Sequence, residues 1–156
     1  MKKVLIIQNR IPLYRDQLFS EISKQNVDLT ICNFEKDNGL KEKNYKTKFF
    51  KKIKSASFIM PSLSLINYAK KFDVVIGMFD IKWINICILP FFIKNKFYFW
   101  GIGLSSQAGL NINKKYNFLR FSIARRSSGI ILYSNYARQI YLKNNFRSNQ
   151  LFVAHN

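Results

Sequence analysis

Acidic residues, histidine and cysteine are all scarce in this chain of 156 residues. Asp and Glu number 8 against 26 Lys and Arg, which gives a formal net charge of +18, and histidine occurs once. The two cysteines, Cys32 and Cys87, lie in apolar runs and form no C-x-x-C pair. This argues against a zinc site or a disulfide framework, so we expect buried thiols and a reducing, cytoplasmic compartment.

The turn after the first predicted strand has no glycine. Dinucleotide-binding folds place G-x-G-x-x-G there, and phosphate-binding loops place G-x-x-x-x-G-K-[ST]. This turn reads QNRIPLYR from Gln8 to Arg15, so both classes are disfavoured and no cofactor is predicted. It carries instead an amide, a phenol and two guanidiniums, on Asn9, Tyr14, Arg10 and Arg15. Guanidiniums suit carboxylates and phosphates, so these four are candidate substrate ligands; simple solvation of a loop is the alternative.

Long hydrophobic runs are also missing. The longest, Trp83 to Ile93, contains Asn85 and Pro90 and is well short of the about 20 residues that span a bilayer. Yet 48% of the chain is hydrophobic and 16% aromatic, which excludes a disordered tail. The length, with no Pro/Gly linker and no internal repeat, predicts a single domain over residues 1–156.

Short β-branched runs alternate with segments of helical spacing. The predicted strands are Val4–Gln8, Val27–Phe34, Asp73–Met78, Lys96–Trp100, Gly129–Tyr133 and Leu151–Ala154. The predicted helices are Asp16–Lys24, one capped by Ser62 or Ser64 and running to Lys71, Lys82–Lys94 with Pro90 bending or breaking it, Asn113–Arg126, and one capped by Ser134 and running to Asn144. The predicted inner residues are Leu18, Phe19 and Ile22 in the first helix and Tyr116, Leu119, Phe121 and Ile123 in the fourth. Glu35–Lys54 is predicted to be a loop around a short strand at Lys48–Lys51.

This alternation predicts an α/β fold, a Rossmann-like open parallel sheet with helices on both faces. In such sheets the ligand crevice lies beyond the carboxyl ends of the strands. The last predicted strand is followed at once by His155 and Asn156. The chain therefore stops at a binding edge, and we expect it to be one half of a larger enzyme.

Further candidates follow the predicted strands. Asp80 is a candidate base or hydroxyl-orienting group, and a helix N-cap is its alternative role. Trp100, Gly101 and Gly103 form a turn where an indole can stack on a sugar and glycine lets the backbone approach a ligand; a core Trp beside a glycine turn is the alternative. His155, the sole histidine, is a candidate general base or a hydrogen-bonded edge residue. No metal site is predicted.

The positive charge predicts an anionic partner, unless lysine merely serves as a general solubilising residue. Lysines are densest over residues 36–54, where Tyr45, Phe49 and Phe50 are interleaved, and Phe58, Ile59 and Met60 follow. Basic residues with interleaved aromatics suit an anionic membrane surface. A solvated loop and a nucleic-acid contact are the alternatives.

Four segments resemble bacterial GT-B glycosyltransferases of the glycosyltransferase-4 type. The run Lys3 to Phe19 resembles their opening, R-x-P-x-Y-R-x-x-L-F, and Phe99 to Gly103 resembles their W-G-x-G turn. Ile130–Ser134 and Leu151–Asn156 resemble the strands near the end of the first domain. The resemblance covers nearly the whole chain and implies the acceptor-binding, N-terminal half of a GT-B fold. Relatives often have His where this chain has Ile102, which cannot transfer a proton.

The resemblance implies transfer of a sugar from a nucleotide-sugar to a cell-surface polysaccharide or lipopolysaccharide intermediate. The expected partners are the nucleotide-sugar donor, a glycan or lipid-linked acceptor and the anionic inner face of the plasma membrane, with nucleic acid disfavoured. The donor would be bound mainly by a C-terminal domain absent from this chain, so the chain alone is expected to be inactive. The alternative is a basic nucleic-acid-binding α/β module.

Overall fold

The computed structural model describes residues 1–35, 43–60, 62–93, 96–101 and 114–154. Its strands are β1 (Lys2–Ile7), β2 (Val27–Asn33), β3 (Lys46–Phe49), β4 (Lys54–Ser55), β5 (Phe58–Ile59), β6 (Val74–Met78), β7 (Phe97–Gly101), β8 (Gly129–Leu132) and β9 (Leu151–Val153). β4 and β5 form a small antiparallel hairpin, and the other seven form one sheet in the order β3-β2-β1-β6-β7-β8-β9. Every neighbouring pair in this sheet is parallel, which confirms the predicted Rossmann-like sheet.

Helices cover both faces of the sheet. They are α1 (Leu13–Ser23), α2 (Leu63–Ala69), α3 (Ile84–Cys87), α4 (Leu89–Phe92), α5 (Lys114–Ala124) and α6 (Asn135–Lys143). On one face, Phe19 of α1 packs in a core cluster with Ile6 and Leu29. The other face is a larger core cluster, in which Leu5 and Ile7 lie with residues of α2 to α6. Alternate residues of β1 thus point to opposite layers, as strand geometry requires.

The strand order places a topological switch point between β1 and β6. From β1 the chain adds β2 and then β3 on one side, and it returns to add β6, β7, β8 and β9 on the other. Connections therefore diverge at this pair, and in open α/β sheets of this kind the ligand crevice is expected outside the carboxyl ends of the strands. This geometry decides which residues meet at the candidate site.

The helix predicted over Lys82–Lys94, with a bend or break at Pro90, is interrupted two residues before that proline. It is divided into α3 and α4, with Ile88 between them. Pro90 lies in the first turn of α4, where its missing N–H needs no partner inside the helix. The segment predicted as a loop around Lys48–Lys51 contains β3, two residues earlier, and the hairpin of β4 and β5 begins at its last residue, Lys54.

The buried faces of α1 and α5 also differ from the predicted ones. Leu18 of α1 is 43% exposed, although Phe19 is buried as predicted. Leu119 of α5 is 49% exposed, while Phe121 is buried as predicted. Over residues 117–124 of α5, the buried residues follow i, i+3, i+4, i+7 spacing and are Asn117, Arg120, Phe121 and Ala124. The helix is therefore rotated so that polar residues face the core.

Two smaller predictions are confirmed. The Ser134 Oγ accepts a hydrogen bond from the Ala137 N–H at 3.2 Å and caps α6. Cys32 and Cys87 are both buried free thiols. In the part of the chain that the structure describes, no helix has the length and apolar character needed to cross a bilayer.

Candidate functional site

Polar and aromatic side chains gather at the carboxyl ends of β1, β7 and β8. Gln8 follows β1 and is 4% exposed, Trp100 lies in β7, and Tyr133 follows β8. Arg15, in the first turn of α1, contacts all three. We call Gln8, Arg15, Trp100 and Tyr133 the Arg15 cluster. Because it lies at the strand ends near the switch point, it is the candidate site.

The guanidinium of Arg15 is held by three contacts. Its Nη1 donates to the Gln8 Oε1 at 2.5 Å, and its Nη2 donates to the Tyr133 hydroxyl at 2.7 Å. Its Cζ lies 4.9 Å from the centroid of the Trp100 ring. Two hydrogen bonds and a cation–π contact fix the plane of the group before any ligand arrives. Such a group can orient a substrate without further ordering.

Three fully buried polar atoms beside this cluster have no hydrogen-bond partner among the described residues. They are the Arg15 Nε, the Trp100 Nε1 and the Asn9 Oδ1. Buried polar atoms in folded proteins are nearly always paired, so each of these atoms needs an explanation. Two donors and one acceptor match the oxygens and hydroxyls of a sugar.

A carboxylate lies next to the first turn. The Lys52 Nζ donates to the Glu35 Oε1 at 2.8 Å, and this bond lowers the pKa of Glu35. The Asn9 side chain and the positive charge of Arg10 lower it further. Glu35 is therefore ionised at neutral pH and is hydrogen-bonded to the Asn9 side chain.

Asp80 follows β6 but does not cap a helix. Its Oδ1 accepts a hydrogen bond from the Lys82 N–H at 2.9 Å, and its carbonyl accepts one from the Cys87 Sγ at 3.4 Å. α3 begins two residues after Lys82, with Trp83 in the cap position. Asp80 is half-buried at the crevice edge, with one carboxylate oxygen, Oδ1, engaged by this turn.

A second cluster lies on the opposite face of the sheet. Arg120 of α5 is 7% exposed, and its Cζ lies 5.7 Å from the ring centroid of Phe79, which directly follows β6. The Nε and Nη1 of Arg120 and the Oδ1 of Asn117 are buried without a partner among the described residues. Burial raises the pKa of the Cys87 thiol to about 12; the Asp80 charge raises it and the Arg120 charge lowers it. The charges of Arg120 and Asp80 thus shift the pKa of the same thiol in opposite directions.

The structure brings together some of the predicted site residues and leaves others apart. Arg15 and Trp100 are in contact, and the Asn9 Oδ1, in the same turn as Arg15, is buried without a partner among the described residues. Tyr14 is 66% exposed, with its ring centroid 5.6 Å from the Arg15 Cζ. Arg10 is exposed.

The glycines and the histidine of the predicted site contribute little to the description of the candidate site. Gly101 is buried, and a Cβ there would lie 3.4 Å from the Cβ of Phe79. Gly103, Ile102 and His155 lie outside the described residues. Among the described residues, no group of three or more His, Cys, Asp or Glu is placed to hold a metal ion.

Sequence reasoning missed Tyr133 and Arg120. Tyr133 could have been found, because it follows a strand in the same way as the residues that were chosen. Arg120 gives no sequence signal, since an arginine within an amphipathic helix ordinarily points to solvent. Its burial depends on how α5 packs against Phe79.

In the described part of the basic segment, residues 43–54, several side chains form ion pairs or hydrogen bonds within the fold. The Lys46 Nζ lies 2.8 Å from the Asp28 Oδ1, and Lys52 pairs with Glu35. Tyr45 is buried, and its hydroxyl donates to the Asp16 carboxylate. Two exposed apolar residues lie at the hairpin: Ile53, just before β4, is 53% exposed, and Phe58, in β5, is 44% exposed.

No protein-family model matches the chain, and no curated protein matches its sequence. Solved structures do match it. HepE of Anabaena in complex with UDP and glucose has a TM-score of 0.68 at 15% identity, over 100% of this chain and 45% of that protein. HepE with UDP-glucose has a TM-score of 0.69 at 14% identity, over 100% and 44%. The UDP-GlcNAc 2-epimerase of Methanocaldococcus jannaschii has a TM-score of 0.55 at 16% identity, over 98% and 45%.

At these identities the likeness shows the fold, a Rossmann-like α/β sheet of the GT-B kind. The chain spans less than half the length of each of these proteins.

Proposed function

We propose that this chain is the acceptor-binding domain of a glycosyltransferase that uses a nucleotide-sugar. The observation that carries the proposal is the Arg15 cluster: a guanidinium fixed between Gln8 and Tyr133, above an indole, with unpartnered buried donors and an unpartnered acceptor beside it. A fixed cation, a stacking ring and unused hydrogen-bonding atoms suit a sugar better than an apolar ligand.

The solved neighbours support the donor class. HepE is described in complex with UDP, with glucose and with UDP-glucose, and the other neighbour is named for a UDP-sugar. Each is more than twice as long as this chain. We propose that a second domain binds most of the nucleotide-sugar, and that the chain of residues 1–156 by itself transfers no sugar.

The acceptor hydroxyl must lose a proton during transfer. In this proposal Asp80, at the end of β6, orients that hydroxyl or accepts its proton. His155 stays a second candidate, by its place after β9 alone.

The proposal is tested by fluorine NMR of protein labelled with 5-fluorotryptophan. The chain contains two tryptophans, so two resonances report on Trp100 in the site and on Trp83 in the core. Titration with neutral and phosphorylated mono- and disaccharides is expected to shift the Trp100 resonance and to leave the Trp83 resonance in place. The Trp100→Phe variant assigns the two signals.

Three outcomes would count against the proposal. The first is that no saccharide moves the Trp100 resonance. The second is release of UDP from UDP-glucose by the chain of residues 1–156. The third is binding of an RNA oligonucleotide with a steep salt dependence while saccharides do nothing, which would favour the nucleic-acid alternative.

We propose further that the hairpin surface contacts an anionic membrane, where a lipid-linked acceptor would reside. Exposed Ile53 and Phe58 lie beside exposed Lys51 and Lys54, a pairing that suits an acidic lipid surface. The chain is expected to sediment with phosphatidylglycerol-containing vesicles and not with phosphatidylcholine vesicles. The double variant Ile53→Ser, Phe58→Ser should lose most of this binding. Equal sedimentation of that variant would contradict the assignment to the hairpin.

A further inference from the structure

The guanidinium of Arg120 is buried without a counter-charge. It is 7% exposed, and no described residue forms an ion pair or a hydrogen bond with it. Burying a charge is strongly unfavourable unless it is paired and hydrogen-bonded. The fold therefore retains a buried cation that its described contacts do not compensate.

The contact with Phe79 compensates the buried charge of Arg120 only in part. An aromatic ring attracts the face of a guanidinium, at a Cζ-to-centroid distance of 5.7 Å here. The N–H donors point outward in the guanidinium plane and require oxygen acceptors. The Asn117 Oδ1 is itself buried and unpartnered, so it does not supply one. The N–H groups on Nε and Nη1 therefore lack a hydrogen-bond acceptor among the described residues. An acceptor with negative charge would also compensate the cation.

The location connects this cation to the crevice. Phe79 follows β6, and Gly101 at the end of β7 lies against Phe79. Arg120 therefore reaches the carboxyl edge of the sheet from the α5 side, whereas Arg15 reaches it from the α1 side. Asp80 is the next residue after Phe79, and its charge, like that of Arg120, shifts the pKa of the Cys87 thiol.

We propose that Arg120 and Asn117 form an anion-binding position that takes an oxyanion of a substrate, a phosphate or a carboxylate. The Arg120 Nε–H and Nη1–H would donate to two oxygens of the group, as guanidiniums do with such anions, and the Asn117 amide would donate to a third. The proposal rests on the proposed function in assigning the anion to a sugar substrate. It restricts the substrates to those with a charged group near the transferred sugar.

The test is anion-dependent thermal stability of the whole 156-residue chain, with inorganic pyrophosphate as the first probe. Pyrophosphate is expected to raise the melting temperature of the wild type in a saturable way. Arg120→Met removes the charge at similar volume. It should raise the melting temperature of the ligand-free protein and weaken the apparent affinity for pyrophosphate by about tenfold or more. Lys71→Met, which removes an exposed positive charge, is the control for net charge and should respond to pyrophosphate like the wild type.

The probes also separate the sources of the anion. A stronger response to UDP than to glucose 1-phosphate or glucuronate would place the donor diphosphate at Arg120, and the reverse order would place an acidic acceptor there. Either order supports the proposal only if Arg120→Met weakens the response.

A purely structural role for Arg120 predicts a different result for the melting temperature and for the pyrophosphate response. Arg120→Met would then be less stable than the wild type, with an unchanged pyrophosphate response, and this would overturn the proposal. If Arg120→Met is less stable and also loses the response, Arg120→Lys decides: a folded protein with a response weakened about tenfold supports the site, and a wild-type response overturns it. Failure of both variants to fold would also overturn it. Neutral saccharides should still shift the Trp100 resonance in Arg120→Met, so failure of this site leaves the proposed function standing.

Discussion

The Phe99→Ala variant is expected to lose about 3–5 kcal/mol of unfolding free energy. Phe99 is completely buried in β7, stacked on Phe79 with ring centroids 4.2 Å apart and packed edge-on against Phe97 at 4.8 Å. Removing the ring loses its burial and leaves a cavity that Phe79 cannot fill without leaving the crevice edge. Denaturant unfolding followed by far-UV circular dichroism measures the loss.

Phe118→Ala is the matched control. Phe118 is 74% exposed on α5, so its truncation should change the unfolding free energy by no more than about 0.5 kcal/mol. Similar losses in the two variants would show that the layer between β7 and the helices is not packed as described. A small loss for Phe99→Ala would mean that the neighbouring rings collapse into the space.

The fold was predictable where a periodic pattern is strong. In β7, Phe97 and Phe99 point into the larger core while Tyr98 and Trp100 point to the other face, which is the period of a strand. The segment Lys82–Lys94 is apolar on all sides and gives no period. Pro90 predicts an interruption of this helix, whereas the point of division at Ile88 depends on packing against the sheet.

The site was predictable one residue at a time and not as an arrangement. The rule that ligands bind beyond the carboxyl ends of parallel strands selected Arg15 and Trp100 correctly as neighbours of one edge. The partner that fixes Arg15 is Tyr133, 118 residues away in sequence. Only the order of the strands brings them together, and a single sequence does not give that order. The buried Arg120 was invisible for the same reason, because tertiary packing reverses the ordinary preference of arginine for solvent.

The Arg15→Met variant is expected to bind saccharides about ten- to a hundredfold more weakly than the wild type, as measured by the shift of the Trp100 fluorine resonance. A hydrogen bond from a charged donor contributes about 1.5–3 kcal/mol, which corresponds to this range. The substitution also leaves the Gln8 Oε1 buried without its donor, so the first turn loses its fixed geometry. Both effects act on the same site, and they must be separated.

Tyr133→Phe and Arg15→Lys separate them. Tyr133→Phe removes one acceptor from Arg15 and keeps the guanidinium, so a role in positioning alone predicts as large a loss as in Arg15→Met. Direct contact with the ligand predicts a loss of only about threefold for Tyr133→Phe. Arg15→Lys keeps the charge but cannot reach both Gln8 and Tyr133 as a planar fork, so it should rescue little. Lys71→Met, at an exposed position shortly before β6 and thus at the amino-terminal edge of the sheet, should bind like the wild type. Wild-type affinity in Arg15→Met would show that the fixed guanidinium serves only the fold, and that the acceptor binds elsewhere along the crevice.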